Sequence, residues 1–192
     1  NHLSKKEKYA FAYQELSEKL GIEKIERIDA FDISHQYMQQ GVGSCVVFAE
    51  SGASKKDYRL FNIPNEIAGN DVASMEHVIS RRLKYYKEHR PDLILIDGGR
   101  TQLNFTNRIL KKFDMEKILV LGIAKGKGRV RATETIYTSK GVLEIDPHSE
   151  SFKLLNELRD ESHRFAITAS RKKIRKINKY SALDSVKGIG PI

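Results

Sequence analysis

Hydrophobic positions along this chain keep two rhythms, a helical one of about 3.6 residues and a strand one of alternating or unbroken apolar residues. Ser4 to about Leu20 reads as a helix, with Tyr9, Ala12, Tyr13, Leu16 and Leu20 at helical spacing and Gly21 placed to end it. Ile25 to Ser34 reads as a strand on which Ile28, Ala30 and Asp32 share one face, and Phe31 and Ile33 the other. Gly43 to Glu50 and Asp57 to Ile63 are two further strands joined by a Ser51-Gly52-Ala53-Ser54 turn, and the three form an antiparallel meander. Asp71 is placed to cap a helix reaching about Glu88, with Val72, Met75, Val78, Ile79, Leu83 and Tyr86 on its buried side.

The second half alternates strand and helix. In Pro91-Asp92-Leu93-Ile94-Leu95-Ile96-Asp97-Gly98-Gly99 an apolar run leads into an aspartate and two glycines. That is the pattern of a strand covered on both faces that ends in a sharp turn. Thr101 to Phe113 is a helix burying Leu103, Ile109 and Leu110, and Ile118 to Ile123 is another apolar strand. A basic, glycine-rich loop spans Ala124 to Arg131, followed by a small hairpin, Thr135 to Ser139 and Val142 to Asp146, around Gly141. Asp146-Pro147 opens a long helix with a stripe of Phe152, Leu155, Leu158, Ser162, Phe165, Ala166 and Ala169, ending near Arg171. Three strands, helix, strand, helix, strand, helix is the order of a ribonuclease H-like α/β fold. Its mixed sheet is flanked by helices, and its first and fourth strands are neighbours.

That adjacency gives the strand ends a chemistry. Asp32 and Asp97 would lie on strands about 4.8 Å apart, where two carboxylates repel unless a cation lies between them. Carboxylate oxygens suit Mg²⁺ or Mn²⁺, which polarise a phosphate oxygen and acidify bound water. Taken alone, Asp97 could equally well cap the following helix. A third ligand or proton carrier would come from the last helix, where His163 in Arg159-Asp160-Glu161-Ser162-His163-Arg164-Phe165 borders the apolar stripe. The default role of a helix-border histidine is structural. His35 is close enough to Asp32 to support it, whereas His2, His77, His89 and His148 read as surface or packing residues. Lys125-Gly126-Lys127-Gly128-Arg129 lacks the Walker A spacing; a phosphate cradle and a surface loop are equal readings of it.

Composition decides what such a site would act on. The 192 residues carry a net charge of +9, which favours a polyanionic partner, nucleic acid above all. Arg171, Lys172, Lys173, Arg175, Lys176 and Lys179 follow the candidate site helix as a backbone-binding track, with no aromatic punctuation for stacking bases. Cys45 is the single cysteine and reads as a core residue, which excludes a disulfide framework and suits the cytosol. No apolar run approaches the roughly 20 residues of a membrane span. The polar start reads as part of a longer chain. Near the end, Ser181-Ala182-Leu183-Asp184 and Gly188-Ile189-Gly190-Pro191 have the form of the first half of a helix-hairpin-helix, whose glycine amides face DNA phosphates.

With these segments assembled, the chain resembles the C-terminal half of UvrC, the nuclease subunit of the bacterial UvrABC excision repair system. The resemblance rests on Phe31-Asp32-Ile33-Ser34-His35, Asp57-Tyr58-Arg59-Leu60-Phe61-Asn62-Ile63, the Pro91 to Gly99 strand, Arg159 to Ile167, and Ser181-Ala182-Leu183-Asp184 with Gly188-Ile189-Gly190-Pro191, all in family order. It implies a divalent-metal-dependent DNA endonuclease that makes the 5′ incision near a lesion, with Asp32, Asp97 and His163 as catalytic and metal-binding residues. DNA contacts are expected from Arg59, Arg100, Gln102, Lys125, Arg164, Arg171, Lys172, Lys173, Gly188 and Gly190. Ser34, His35 and Glu134 are expected around the metal ligands. Residues 1–22 would be a linker helix, 23–176 the endonuclease domain, and 177–192 a linker with an incomplete helix-hairpin-helix. Arg100-Thr101 departs from the Lys-Gly that many members carry, and the 36–40 and 125–131 loops are atypical. The family's N-terminal GIY-YIG nuclease and its UvrB-interacting region have no match here, so damage targeting through a UvrB-DNA complex would need parts outside this chain. Two other readings are an endonuclease V-like nuclease and a catalytically silent DNA-binding module.

Overall fold

The computed structural model describes residues 4–33, 41–86, 89–125 and 134–184. Its first helix, α1 (Lys5–Leu20), is bounded as its sequence dictates. The Ser4 hydroxyl accepts from the Glu7 amide, the Glu7 carboxylate accepts from the Ser4 amide, and Gly21 closes the helix with φ 66°. Strands β1 (Arg27–Asp32), β2 (Val42–Ala49) and β4 (Arg59–Asn62) form the expected antiparallel meander. Between the last two, the expected turn contains a two-residue strand, β3 (Gly52–Ala53), and a single 3-10 turn, Lys55–Asp57. Both β3 and β4 pair with β2, so the third strand of the meander starts later than its apolar pattern suggests.

Helix α2 (Asp71–Leu83) follows, then β5 (Leu93–Asp97), α3 (Arg100–Lys112) and β6 (Leu119–Ala124). A short antiparallel pair, β7 (Thr135–Thr138) and β8 (Gly141–Val142), precedes the 35-residue α4 (Glu150–Asp184). The strands make one eight-stranded sheet in the order β3-β2-β1-β5-β6-β7-β8, with β4 also on β2. β1, β5 and β6 run parallel at its centre, with Ile28 opposite Leu93 and Phe31 opposite Ile96. The first and fourth major strands are thus neighbours, as the ribonuclease H-like order requires. Leu93 to Ile96 are all buried because helices cover both faces. One face carries α4 across β2, β1 and β5 with α1 beside it, and the other carries α2 and α3.

Four helix boundaries differ from the sequence reading, two on α2 and two on α4. Asn70, not Asp71, caps α2, its side chain accepting from the Ala73 amide at 3.0 Å, and Val72 is 51% exposed rather than buried. The α2 helix ends at Leu83, short of Glu88, which lies outside the described residues. Helix α4 starts at Glu150 because Asp146 accepts from the His148 amide in a local turn, and the Ser149 hydroxyl accepts from the Phe152 amide. Its far end passes Arg171 and runs to Asp184, since neither Gly nor Pro interrupts the sequence until Gly188. Ser181 to Asp184 is therefore the last turn of α4 and not a separate short helix.

The alternation of β1 sends the fully buried Asp29 to the face opposite Asp32, into a charge network with Arg82, Tyr86 and the partly buried Arg27. Asp29 Oδ2 accepts from Arg82 Nε and Nη2 at 3.1 and 2.9 Å and from the Tyr86 hydroxyl at 2.6 Å. Oδ1 accepts from Arg27 Nε at 2.7 Å, and the Cys45 thiol lies 3.6 Å from Oδ2. Burial and the Asp29 charge push the Cys45 thiol and the Tyr86 hydroxyl up, so both stay protonated donors. Cys45 is the core residue its surroundings suggested. The network pins α2 to the sheet beneath the candidate site.

Candidate active site

Asp32 is the last residue of β1 and Asp97 the last of β5, and the parallel pairing of these strands brings both to one end of the sheet. Asp32 is 1% exposed, and Asp97 is half-buried. Across the same end passes α4. It is tied down by the Ser44 hydroxyl of β2, which donates to the Ser162 carbonyl at 2.8 Å. Ser44 is the residue opposite Asp32, so this bond sets the next residue of α4, His163, over the strand end. His163 Nδ1 and Asp32 Oδ2 are 2.8 Å apart. One ligand atom from each of Asp32, Asp97 and His163 lies within 4.8 Å of the other two, the only such group of His, Cys, Asp and Glu among the described residues.

The electrostatics match that crowding. Burial first, and the Asp32 charge second, raise the Asp97 carboxyl above its ordinary range, while Arg159, His163 and Lys125 pull the other way. A carboxylate so placed favours a cation, and two carboxylates with one imidazole form an oxygen-rich donor set that fits Mg²⁺ or Mn²⁺. Asp97 does not cap α3; Gly99 occupies that position, with its amide donating to Gln102 Oε1 at 3.1 Å. The Asp97-Gly98-Gly99 turn is tightly enclosed. Gly98 N donates to the Ile123 carbonyl at 2.9 Å, and a Cβ on Gly122 would stand 2.7 Å from the Gly98 carbonyl.

The expected DNA contacts divide. Lys125 is exposed at the rim beside Asp97, and Arg171 and Lys172 are exposed on the projecting part of α4, with Lys173 partly covered. Arg100 is exposed at the start of α3, its guanidinium 5.9 Å from the Tyr137 ring centre. Arg59 is turned back on its own backbone, donating to the Lys56 and Tyr58 carbonyls, and Arg164 is paired with Glu161 at 2.7 Å. Gln102 supports the Gly98-Gly99 turn. Glu134 pairs with Arg159 at 2.6 Å, near the site but not with its ligands. Ser34, His35, Gly126, Gly128, Gly188 and Gly190 lie outside the described residues, as do the 36–40 loop and most of the 125–131 loop. Sequence reasoning missed Ser44, a polar residue within an apolar strand that carries no signal of its own. It also passed over Arg159, whose position four residues before His163 was a usable clue.

Residues 17–167 match the family model of the UvrC RNase H endonuclease domain. The chain belongs to this family. Among relatives called UvrABC system protein C, that of Saccharophagus degradans is 39% identical over the whole of this chain, which covers 32% of the relative. Those of Mannheimia succiniciproducens and Psychrobacter arcticus are 43% and 42% identical over 93% and 86% of the chain. The chain thus spans about a third of the length of the curated UvrC relatives it matches. The fold is also that of human ENDOV, at a TM-score of 0.51 and 10% identity, covering 78% of this chain and 86% of the other. The ribonuclease H description comes from the family model, and the likeness to ENDOV is one of fold alone.

Proposed function

We propose that this chain is the divalent-metal-dependent nuclease domain that makes the 5′ incision beside a lesion in bacterial nucleotide excision repair. The observation that carries this reading is the convergence of Asp32, Asp97 and His163 within 4.8 Å at the carboxyl ends of β1 and β5. Asp32 and Asp97 would hold Mg²⁺ or Mn²⁺, with His163 as the third member. When bound, the ion supplies phosphate polarisation, an acidified water and stabilisation of the leaving oxygen.

The chain's own residues do the rest. Against an ionised Asp32, which only accepts hydrogen bonds, His163 Nδ1 is the donor, and an imidazole in that tautomer carries its lone pair on Nε2. Held in that tautomer, His163 can take the proton of the attacking water at Nε2, or offer Nε2 alone to a metal; the 2.8 Å contact to Asp32 favours the proton role. Lys125, Arg171, Lys172 and Lys173 would carry the phosphate backbone of a damaged duplex along the site and the projecting α4. Engagement of a UvrB-DNA complex would come from parts of the full protein outside this chain, acting in the cytoplasm. A silent DNA-binding module has no use for a clustered Asp-Asp-His arrangement, and the likeness to ENDOV extends to the fold alone.

The test uses the full-length protein with its repair partners on a duplex bearing one defined lesion. Asp32→Asn and Asp97→Asn should each abolish 5′ nicking in Mg²⁺ or Mn²⁺ while DNA binding persists. Normal 5′ nicking by Asp97→Asn would sink the proposal.

A further inference from the structure

Arg159 is held as a rigid arm over the same strand end, and nothing in the chemistry above uses it. It stands one helical turn before His163 on α4, so the two side chains project from the same face toward the sheet end. Its side chain is only 15% exposed. Nη1 donates to Glu134 Oε1 at 2.6 Å, and Nε and Nη2 donate to Asp160 Oδ1 at 3.0 and 2.7 Å. Glu134 comes from the segment entering β7, whose Thr135 pairs with Ala124, one residue beyond the Ile123 that stands opposite Asp97. The two carboxylates that grip Arg159 are thus at the same sheet end as the catalytic cluster.

We propose that Arg159 is a phosphate-binding residue of this site, its guanidinium donating to one non-bridging oxygen of the phosphodiester being cut, with Glu134 as the residue that positions it. The inference rests on the reading of Asp32, Asp97 and His163 as a nuclease centre. A guanidinium has five N–H donors in a planar fork, and Glu134 and Asp160 take three of them, leaving one on Nη1 and one on Nη2 in a plane that the two carboxylates orient. A pentavalent phosphorane-like transition state adds negative charge to the non-bridging oxygens. A donor already oriented in a partly dehydrated place stabilises that charge without reorganising. Lys125 is exposed on a flexible stem, and Arg164 is spent on Glu161 at the surface; neither offers the same rigidity. The plain alternative is a structural role, in which Arg159 merely staples the start of β7 to α4.

Stereochemically pure phosphorothioates at the scissile position separate these roles. The full-length protein, with partners and Mn²⁺, is assayed by single-turnover nicking on the oxygen substrate and on each sulfur diastereomer. Arg159→Ala should slow nicking of the oxygen substrate by about 100-fold or more, the usual loss of one preorganised donor. Sulfur at the contacted oxygen should slow the wild type, and that penalty should disappear in Arg159→Ala while the penalty at the other oxygen persists. Glu134→Gln, which leaves Arg159 in place but frees it, should lower the rate less and keep the diastereomer preference. Arg159→Lys checks for misfolding: it should retain the thermal stability of the wild type yet not its rate. The proposal is overturned if Arg159→Ala nicks at the wild-type rate, or if its loss is equal for both diastereomers and the oxygen substrate. Asp97→Asn run alongside distinguishes the two levels: active Asp97→Asn removes the nuclease reading itself, whereas inactive Asp97→Asn beside unaffected Arg159→Ala removes only the arginine.

Discussion

Replacing Asp97 by Asn should have opposite effects on stability with and without a divalent ion. Asp32 and Asp97 place carboxylate oxygens within 4.8 Å of each other. Two unit charges at that distance repel by about 0.9 kcal/mol in a water-like medium and about 3.5 kcal/mol at an effective dielectric constant of about 20. His163, Arg159 and Lys125 offset part of this, so a gain of about 1–3 kcal/mol is expected for Asp97→Asn near neutral pH without divalent metal. The raised Asp97 carboxyl fixes the pH dependence. Its folded pKa lies above the unfolded one, so between the two the native state binds more protons and wild-type stability falls as pH rises. The advantage of Asn should therefore be absent below the unfolded carboxylate range and complete once pH exceeds the folded Asp97 pKa. Mn²⁺ at about 100 times its dissociation constant should add about 2.7 kcal/mol to the wild type and little to the variant. Urea unfolding of both proteins in EDTA and in Mn²⁺, at several pH values, measures all of this. If Asp97→Asn is less stable in EDTA, or Mn²⁺ stabilises both proteins equally, the two carboxylates do not share a cation site.

Three further outcomes are expected. Asp29→Asn should cost about 3–5 kcal/mol in urea unfolding because it strands the buried Arg82, whereas Tyr86→Phe, losing one bond to the carboxylate, should cost about 1.5–3 kcal/mol. Gly122→Ala should destabilise by about 1–3 kcal/mol and lower nicking, since its Cβ would press on the Gly98 carbonyl 2.7 Å away and shift the turn after Asp97. A destabilised variant with full nicking activity would show that this turn does not set the site. Arg171→Ala with Lys172→Ala should weaken DNA binding and reduce the slope of log affinity against log salt by about 1.8, some 0.9 per lost phosphate contact. An unchanged slope in a binding titration across salt would reject the backbone track.

Much of the fold follows from local patterning. The apolar Leu93 to Ile96 run demanded cover on both faces, Ser4 and Gly21 fixed the ends of α1, and the order of strands and helices implied that β1 and β5 are neighbours. From that adjacency and the helix-border position of His163, the candidate site could be assembled before any coordinates. Helix limits were less legible where polar side chains competed for the same amides: Asn70 displaced Asp71 as a cap, and Asp146 and Ser149 delayed the start of α4. Which aspartates matter for which task also lay beyond the chain alone. Asp29 and Asp32 belong to the same strand, three residues apart. One is buried among arginines under α2 and the other meets His163, a difference made by the alternation of the strand between two covering helices.

The sequence by itself therefore determined the elements, their order and the residue types able to hold a metal, because these depend on periodicity and side-chain chemistry. Only the tertiary structure decided that Ser44 seats α4 so that His163 reaches Asp32, and that Glu134 and Asp160 hold Arg159 rigid. Those contacts join residues 25 to 131 positions apart, apart from the adjacent Asp160, and no local pattern encodes distances across that span.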